Sequence, residues 1–497
     1  LDSDIKTDVA IVGGGLVGIL SAYLLKKAGY NVAVLEAGRI AKATTGHTTA
    51  KITSQHNLIY DKLIRQKGEE LARQYATANE SAIKEIKKIA DENKIECDYI
   101  PQAAYIYTQQ DKYIQQIEAE TQAALSLGIK AHFLEEIPVP LKIIAALRFD
   151  DQAQFHPRKF LLPLASTICG NNSQIYENSR VVDLEESLNY TLTTEQGKKV
   201  TAQKVIIASH YPFYNKSGFY FARIYPERSY IIAIQAQEKY PGGMYINAEE
   251  PPRSLRCQDS EKGELILVVG DNHKTGQGEN TSLHYQALTE FAHETFAVKN
   301  IPFRWSTQDC MTLDGIPYVG QYTSDTPNLY VATGFGKWGM TNSMSAAMIL
   351  RDLIVEGSSP WQDVYNPSRQ TVLASAKNFV VENLDVAKHL IDGKIEGKIS
   401  PLPENTEIKA GESKIMSVDG NRIGAFRDEQ GTLHLINTTC THMGCELNWN
   451  SAEQSWDCPC HGSRFSYDGD ILEGPAVHPL SAEKETKTVS KLLTDEY

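Results

Sequence analysis

The sequence lacks any apolar run of about 18 residues, which is the length that a membrane-spanning helix needs, so no transmembrane segment is expected. It also lacks an excess of basic charge, since 49 Lys and Arg stand against 62 Asp and Glu, a formal net charge of −13. Without basic charge to oppose phosphates, sequence-independent nucleic-acid binding is not expected. Leu1 to Lys6 are polar and show no signal-peptide pattern, although the missing initiator Met is compatible with a removed leader.

Cysteine is scarce, with eight in 497 residues, but its distribution is uneven. Four cysteines stand singly and are expected to be small buried hydrophobic residues: Cys97, Cys169, Cys257 and Cys310. The other four fall within 21 residues and predict a metal site, a local disulfide or both: Cys440, Cys445, Cys458 and Cys460.

An N-terminal segment carries a glycine motif. Residues 8–36 have the pattern of a buried strand, an apolar helix and a second strand. Gly13, Gly15 and Gly18 permit a tight turn, close approach of a pyrophosphate and close packing of helix on strand. Glu36 can accept a hydrogen bond from a ribose hydroxyl at the end of the second strand. The segment predicts a dinucleotide whose phosphates lie at the helix N-terminus, and the alternative is a purely structural turn.

A second glycine-rich turn lies late in the chain. Residues 328–354 have the pattern of a strand, the turn GFGKWGMT and an amphipathic helix, preceded by Asp-Gly-Ile-Pro at 314–317. With the N-terminal motif and the strand KVIIASH at 204–210, these residues resemble the D-amino-acid oxidase-like superfamily of FAD oxidoreductases, which includes glycine and sarcosine oxidases. The resemblance covers about residues 8–360 and implies FAD as the dinucleotide.

The resemblance also implies which residues contact FAD. The N-terminal motif would hold the ADP half, and the backbone of two residues in SRVVDLEE would contact the adenine: Val181 and Val182. The late turn would wrap the isoalloxazine through Gly334, Phe335, Gly339, Met340 and Thr341.

A threonine-rich loop at 44–50 follows the second strand. We expect its hydroxyls and backbone N–H groups, including those of Thr45 and Thr48, to bind the flavin phosphates. His47 offers an alternative, because dimethylglycine and sarcosine dehydrogenases carry a flavin-linked histidine in a similar segment.

The middle of the chain is the expected substrate region. Segments 219–236 and 263–270 alternate or run apolar with aromatic residues, as antiparallel strands do, whereas 69–93 predicts a solvated helix. In the resembled family such a sheet covers the flavin and forms the substrate pocket. The candidates to bind a substrate carboxylate, or alternatively ordinary sheet-face residues, are Arg223, Tyr225, Arg228, Tyr230 and Arg256.

The clustered cysteines lie beside two histidines. Two thiolates and two imidazoles could bind zinc tetrahedrally. The spacing Cys-Thr-His-Met-Gly-Cys, followed by Cys-Pro-Cys-His-Gly-Ser, is closer to a Rieske [2Fe–2S] domain. This resemblance implies that the thiolates of Cys440 and Cys458 bind one iron. It implies that the imidazoles of His442 and His461 bind the other iron.

The same resemblance implies three features around the cluster. Cys445 and Cys460 correspond to the loop-pinning disulfide of respiratory Rieske proteins, and 474–480 to the proline-containing loop that shields the cluster. Ser463 keeps a hydroxyl aimed at a cluster sulfur, but Phe465 stands where a second hydroxyl, of tyrosine, is usual. We therefore predict a reduction potential within the family range of about −150 to +300 mV but below its upper end.

Charge is concentrated at the same end of the chain. Residues 401–497 contain 8 basic and 16 acidic residues, so their net charge is 8 − 16 = −8. This is either a solvated acidic surface or a docking face for a basic electron-carrier protein.

The sequence therefore predicts an α/β plus β protein in which a Rossmann-like FAD-binding domain is interleaved with an antiparallel-sheet substrate domain and followed by a small all-β Rieske domain. The oxidoreductase part is expected at 1–365, a helical connector at 366–400 and the Rieske domain at 401–497. Within 1–365, the FAD-binding parts are about 1–95, 150–215 and 305–365, and the substrate sheet is about 96–149 and 216–304.

The predicted function is an amine or amino-acid dehydrogenase that oxidises a C–N bond at FAD and passes electrons singly through the cluster to an external acceptor. Two alternatives remain: a flavin oxidase whose cluster is a redox sensor or structural element, and a reductase with electron flow from cluster to flavin. The expected location is the cytoplasm, or the membrane periphery, although a disulfide is unusual among cytosolic thiols.

Overall fold

The structure, a computed structural model, describes residues 1–261, 263–278, 280–369, 373–395, 406–418, 421–483 and 493–494. The chain forms two units. The first comprises Leu1–Gly218, Arg228–Asn272 and Leu283–Val372, and the second comprises Phe219–Glu227, His273–Ser282 and Leu373–Tyr497. In the described ranges, none of the helices has the length and apolar character needed to cross a membrane.

The strands up to residue 333 are β1 (Ile5–Val12), β2 (Val32–Leu35), β3 (Lys51–Ile52), β4 (Ile100–Thr108), β5 (Ala131–Leu134), β6 (Ala145–Gln154), β7 (Gln174–Tyr176), β8 (Val181–Glu186), β9 (Tyr190–Thr194), β10 (Lys199–Ile207), β11 (Ile224–Ala236), β12 (Met244–Asn247), β13 (Arg253–Ser260), β14 (Gly263–Lys274), β15 (Val298–Thr312), β16 (Tyr318–Gln321) and β17 (Leu329–Thr333). The later strands are β18 (Thr406–Glu407), β19 (Ser413–Val418), β20 (Asn421–Arg427), β21 (Leu433–Asn437), β22 (Asn448–Asn450), β23 (Ser455–Asp457), β24 (Arg464–Ser466), β25 (Ile471–Glu473) and β26 (Leu493–Thr494).

The helices are α1 (Leu16–Lys27), α2 (Ala43–Gly46), α3 (Tyr60–Lys67), α4 (Glu69–Glu92), α5 (Ile114–Ser126), α6 (Pro157–Ile168), α7 (Ser282–Thr295), α8 (Gly339–Val355), α9 (Gln362–Tyr365) and α10 (Leu373–Ile395), with 3-10 turns at Asp111–Tyr113 and Tyr220–Ala222.

The first sheet of the first unit is mostly parallel, in the order β16-β17-β10-β1-β2-β7, with β9 and β8 attached to β10. Val12 lies opposite both Ile207 of β10 and Leu35 of β2, so the carboxyl ends of three parallel strands are aligned. The last four residues of β1 are all buried, which explains their unbroken apolar sequence. The glycine turn therefore begins at the edge where open α/β sheets bind ligands.

The second sheet has the order β15-β11-β14-β13-β12-β4-β6-β3, with β5 beside β6. β13 and β14 pair antiparallel over Arg253–Ser260, as their alternating sequences predict. The predicted strand at 219–236 begins only at Ile224, because the preceding residues form a 3-10 turn.

The long helix predicted at 69–93 is present as α4, but the expectation that it is solvated is wrong for one face. Ten of its residues are buried, including Tyr75 and Asn79. Five of these ten residues are alanines, which allow close packing but make the apolar stripe hard to recognise in a sequence rich in Lys and Glu.

The second unit contains the sheets β19-β20-β21 and β22-β23-β24-β25 and the pair β18-β26. Trp456, Phe465 and the four clustered cysteines form a core against which Val386 and Leu390 of α10 pack. Residues 219–227 and 273–282, which the sequence prediction assigned to the substrate sheet, group with the second unit, although Ile224–Glu227 and His273–Lys274 are the ends of β11 and β14 in that sheet. Among the single cysteines, Cys97 and Cys310 are buried and Cys257 is half-buried, but Cys169 is exposed at the end of α6.

Candidate functional site

The N-terminal turn is built around glycines that no other residue can replace without movement. Gly13 has φ +111°, and a Cβ there would lie 2.4 Å from the carbonyl oxygen of Ala208. A Cβ on Gly18 would lie 1.8 Å from the carbonyl oxygen of Gly13, so this glycine brings α1 against the turn. Gly15 is the N-cap of α1 and provides no capping side chain, which leaves the helix N-terminus open to an anion.

Glu36 organises the backbone around this turn. Its carboxylate accepts hydrogen bonds from the N–H of Gly14 at 2.7 Å and of Gly38 at 2.8 Å. Its own carbonyl accepts from the N–H of Ser179, two residues before Val181, at 2.8 Å. Val181 is buried and Val182 is half-buried at the start of β8. The proposed adenine contacts, Val181 and Val182, therefore closely follow Ser179, which is hydrogen-bonded to Glu36.

The threonine-rich loop is conformationally strained. Ala41, Ala43 and Ala50 have φ values of 54°, 44° and 52°, a region that costs energy for any residue with a Cβ. The Thr45 hydroxyl accepts from the N–H of Leu16, the first residue of α1, at 3.3 Å. Strained loops of this kind cluster at ligand sites, and this one lies at the helix N-terminus where phosphates are expected.

His47 and Thr48 occupy the far side of this loop. His47 is exposed, with Nδ1 2.7 Å from the carbonyl oxygen of Ala43, and its own carbonyl accepts from the indole N–H of Trp305 at 2.8 Å. The Thr48 hydroxyl accepts from the N–H of Ala50. Covalent attachment of flavin at His47 stays a prediction.

The late turn between β17 and α8 also requires glycine. Gly334 has φ +75°, and a Cβ there would lie 2.2 Å from Cγ2 of Thr312. Phe335 and Met340 are buried. A Cβ on Gly339, the first residue of α8, would meet nothing within 4 Å in the described structure. Open space beside a glycine at a helix N-terminus fits a planar group packed against the turn.

Sequence reasoning missed His56, which fixes this turn. Its Nδ1 lies 2.6 Å from the Tyr75 hydroxyl and its Nε2 lies 3.1 Å from the Thr341 hydroxyl. Its ring stacks on Trp338 at 5.1 Å between centroids. Burial lowers the pKa of His56 to about 3, so the ring is neutral. The sequence signal was weak, because His56 stands in a polar segment 285 residues away from Thr341.

Two cations influence each other in this region, Lys51 and Arg256, and Lys51 lies near the same tryptophan. The Lys51 ammonium of β3 lies 5.7 Å from the centre of the Trp338 ring and donates to the hydroxyl of Ser254. Burial, and then the charge of Arg256, lowers the pKa of Lys51 to about 7. Burial also lowers the pKa of Arg256, which is 4% exposed, to about 10. Within the described residues, neither cation forms an ion pair, and Nε of Arg256 is buried without a hydrogen-bond partner.

The other candidates for a substrate carboxylate have protein partners of their own. Arg228 is fully buried and donates to the hydroxyl of Ser306. Tyr230 is stacked on His284, with ring centroids 4.8 Å apart. Two further candidates, Arg223 and Tyr225, belong to the second unit. The Arg223 guanidinium lies over the Tyr220 ring, and the Lys274 ammonium lies over the Tyr225 ring.

The two cysteine–histidine loops share one backbone design. In the first, the N–H of Cys440 donates to the carbonyl of Cys445, and the N–H of Gly444 donates back to Cys440. The second repeats this pattern, because Cys458 donates to Ser463 and Gly462 donates back to Cys458. The glycine is left-handed in each loop, with φ +74° and +75°. We call Cys440–Cys445 the first ligand loop and Cys458–Ser463 the second ligand loop.

The two loops bring their chemical groups together. The rings of His442 and His461 lie 5.0 Å apart at 86°, and both ring nitrogens of His461 are buried with no hydrogen-bond partner in the described structure. Burial lowers the pKa of His442 to about 4 and that of His461 to about 3, so both imidazoles are neutral, the form that ligates metal. A hydrogen bond from the Cys458 thiol lowers the pKa of Cys440 and favours a thiolate. This donor set fits a two-iron cluster.

Groups around the loops connect them. The Ser463 hydroxyl helps to lower the pKa of the Cys440 thiol and accepts from the N–H of Ala476 at 3.0 Å. The Thr441 hydroxyl donates to the carbonyl of His478 at 2.6 Å. The 474–480 segment is thus bonded to both ligand loops, while Phe465 is fully buried in the same core.

The predicted disulfide is confirmed. Cys445 and Cys460 are bonded at 2.00 Å, with a sequence separation of 15 and 6.5 Å between their Cα atoms. The bond joins the two ligand loops.

Comparisons with known proteins identify the family. Residues 8–353 match the model of FAD-dependent oxidoreductases, and residues 398–488 match the Rieske [2Fe–2S] domain. The chain belongs to the FAD-dependent oxidoreductase family and carries a C-terminal Rieske domain. Its cofactors are FAD and a [2Fe–2S] cluster, which confirms the Rieske interpretation of the cysteine–histidine pattern over the zinc one.

Individual relatives agree with this classification. The chain is 44% identical over 480 residues to the Rieske 2Fe-2S iron–sulfur protein YhfW of Bacillus subtilis (strain 168), covering 97% of this chain and 94% of that protein. It is 23% identical to the gamma-glutamylputrescine oxidoreductase of Escherichia coli (strain K12), over 71% and 85% of the two chains. Glycine oxidase from Geobacillus kaustophilus matches in structure with a TM-score of 0.62 at 17% identity, covering 74% of this chain and 99% of that one.

Proposed function

We propose that this protein is a dehydrogenase that oxidises the C–N bond of an amino acid or another carboxylate-bearing amine and delivers the electrons to an external one-electron acceptor. The FAD supplies two-electron oxidation of the substrate, and the cluster supplies one-electron transfer. Oxidation of an amine to an imine releases two electrons and two protons, so two single-electron passages to the acceptor complete one turnover.

The observation that carries the substrate class is the cation pair of Lys51 and Arg256. Lys51 is half-buried and Arg256 is buried, and two such like charges without an acidic partner destabilise each other and lose hydration. A substrate carboxylate would compensate both, and the Arg256 guanidinium can bind it through two parallel hydrogen bonds. Because Lys51 lies beside Trp338, a carboxylate bound here would hold the adjoining C–N bond near the turn assigned to the flavin.

The names of two similar proteins support a C–N bond as the reacting group. A gamma-glutamylputrescine oxidoreductase and a glycine oxidase are named for an amine and an amino acid. We assign the FAD contacts to the two glycine turns, Glu36 and the threonine-rich loop. We assign the cluster ligands to Cys440, Cys458, His442 and His461, supported by the matched loops and the two neutral imidazoles.

An anaerobic screen tests this function. The purified holoprotein is mixed with amino acids and with amines that lack a carboxylate, and flavin bleaching identifies the substrate. We then expect the cluster bands to bleach and a Rieske-type paramagnetic signal to develop. A flavin that is reduced while the cluster stays oxidised would exclude the relay and leave an oxidase with a structural or sensing cluster. Oxidation of a reduced carrier with flavin reduction as its result would indicate the reverse direction.

The role of Lys51 predicts a pH dependence. With a pKa of about 7, the Lys51 side chain is charged below pH 7 and loses this charge as the pH rises. The KM of an amino-acid substrate should therefore rise by about tenfold at pH 8, and Lys51→Met should have a high KM at every pH. An amine without a carboxylate serves as the control, because its KM should not follow this profile. A KM that is independent of pH from 6 to 8.5 in the unaltered protein would contradict the role.

A further inference from the structure

Two segments from the middle of the chain pack with the cluster loops in the second unit. We call Phe219–Glu227 and His273–Ser282 together the clasp. The amide of Asn448 donates to the carbonyl of Gly276 at 2.8 Å, and the Thr281 hydroxyl donates to the side chain of Asn450 at 2.7 Å. The N–H of Ala452 donates to the same hydroxyl at 3.0 Å. These contacts fix the clasp to residues that precede the second ligand loop.

Gly276 brings the clasp backbone directly onto the second ligand loop. It has φ +73°, and a Cβ there would lie 2.6 Å from the nitrogen of Pro459 and 2.7 Å from the carbonyl carbon of Cys458. Only a glycine permits this approach, because the neighbouring atoms belong to backbone that cannot rotate away. The clasp therefore contacts the main chain of a cluster ligand.

Phe221 of the clasp covers the ring of His461. The two rings meet edge to face with centroids 5.9 Å apart, and His461 is 1% exposed. The first ligand loop differs, because His442 is only half-buried and Met443 beside it is 42% exposed. The two histidines therefore have different surroundings: His461 is covered by the clasp, whereas His442 is half-buried beside an exposed residue.

Helix α10 holds the clasp from another side. The Lys274 ammonium pairs with Glu382 at 2.8 Å and with Asp385 at 3.0 Å. The amide of Asn383 donates to the carbonyl of Ala222 at 3.0 Å. Both clasp segments are thus bonded to one helix, and partly buried ion pairs of this kind form a network rather than an isolated surface pair. The contacts favour a fixed clasp over a transient one.

We propose that the clasp holds the second ligand loop permanently and covers its His461 side, so that a basic carrier protein reaches the cluster on the His442 side, where it docks over Met443. The inference rests on the proposed function. The close approach of Gly276 to Cys458 and the Phe221 ring over His461 support the cover. The net charge of −8 in residues 401–497 complements a basic carrier.

A disulfide lock tests whether the clasp is permanent. The hydroxyl oxygens of Thr281 and Ser451 lie 3.2 Å apart, so Thr281→Cys with Ser451→Cys should form a bond across the contact. The bound FAD of the anaerobic holoprotein is photoreduced, and bleaching of the cluster is followed with time. We expect the locked protein and both single-cysteine controls to match the unaltered rate within about twofold, with an unchanged paramagnetic signal.

The outcomes separate this inference from the proposed function. If the cluster of the unaltered protein is never reduced by the flavin, the proposed function fails and the inference with it. If the unaltered cluster is reduced and the locked one is not, the second ligand loop must leave the clasp during transfer, and only the inference is wrong.

Phe221→Ala tests whether the clasp covers His461, with Phe219→Ala as the matched control because Phe219 is 63% exposed two residues away. We expect Phe221→Ala to raise the cluster potential measured by voltammetry, because water at the exposed ring stabilises the more negative reduced cluster. Phe219→Ala should leave the potential unchanged. Equal potentials in both variants would contradict the cover.

A blocked surface tests the exit. Met443→Cys is labelled with a polyethylene-glycol maleimide, and cytochrome c serves as the basic one-electron probe. Leu472→Cys, at a residue 47% exposed in the same unit, is the labelled control. We expect the label at 443 to slow cytochrome c reduction by about tenfold without slowing reduction of the cluster by the flavin. Unimpaired cytochrome c reduction, or a slower internal step, would overturn the exit assignment.

Discussion

The two cofactor regions of this protein are built in opposite ways. The glycine turn of the first unit makes its site by omitting side chains, since a single Cβ on Gly18 would collide with the backbone. The ligand loops of the second unit make theirs by burying polar atoms, such as the ring nitrogens of His461, that only a bound group can satisfy. We therefore expect the glycine turn not to tolerate an added Cβ on Gly18, and the ligand loops not to tolerate the loss of a proposed cluster ligand.

The largest effect is expected from removal of one ligand. Cys458→Ala should abolish iron binding and the paramagnetic signal completely while FAD content stays near one per chain, because the altered group lies in the second unit only. Iron analysis and flavin absorbance measure both. Cys310→Ala, at an equally buried cysteine, is the control and should keep both cofactors. A Cys458→Ala protein that retains the Rieske signal would show that the ligand assignment is wrong.

The converse change adds an atom to the first region. Gly18→Ala should destabilise the protein by about 3 kcal/mol or more, since α1 must move away from Gly13, and FAD should be lost. Gly29→Ala is the matched control, because a Cβ there meets nothing and only its left-handed φ of +94° costs about 1 kcal/mol. Thermal unfolding and FAD content compare the two variants. Equal losses of stability and of FAD in both variants would show that backbone conformation, rather than close packing, causes the losses.

An intermediate effect is expected from the disulfide. Closing a loop of 15 residues stabilises by about 3 kcal/mol in the chain-entropy description, so Cys445→Ala with Cys460→Ala should lower the stability of the second unit by about that amount. Denaturant unfolding followed through the cluster absorbance measures this. Cys169→Ala, at an exposed single cysteine, should change nothing. A stability loss below about 1 kcal/mol would mean that the cluster alone joins the loops.

The smallest effect concerns hydrogen bonds to the cluster. Ser463→Ala removes the hydroxyl beside Cys440 and should lower the potential by about 60 mV, the equivalent of one hydrogen bond of about 1.4 kcal/mol. Phe465→Tyr adds a hydroxyl in the same core and should raise it by a similar amount. Voltammetry measures the cluster potential of both variants. An unaltered protein at the very top of the range, about +300 mV, would contradict the prediction from Phe465.

The parts of this molecule that could be predicted from sequence are those in which function depends on short spacing. The glycine motif and the strand predicted at 204–210, which the structure has as Lys199–Ile207, follow from local patterns, and the Cys445–Cys460 bond is what the resemblance to respiratory Rieske proteins implies. Each pattern is local because one turn or one pair of loops makes the site.

The parts that could not be predicted depend on distant contacts. Gly276 has no motif around it, and its role arises only because Pro459 lies against it. Lys51 and Arg256 are 205 residues apart, and neither stands in a pattern that signals the other. In α4, Tyr75 is buried by its contact with His56, although the helix composition suggested solvent.

The discontinuity of the second unit has a consequence for synthesis. Asn448 binds Gly276 across 172 residues of chain. At about 5–20 residues per second, a ribosome needs roughly 10 to 30 s to cover that distance. During this interval the segments Phe219–Glu227 and His273–Ser282 have been made but their partners have not. The backbone of Gly276 and the ring of Phe221 are then exposed to water or bound by a chaperone. Cluster insertion and completion of this unit therefore wait until residues 440–463 have been made.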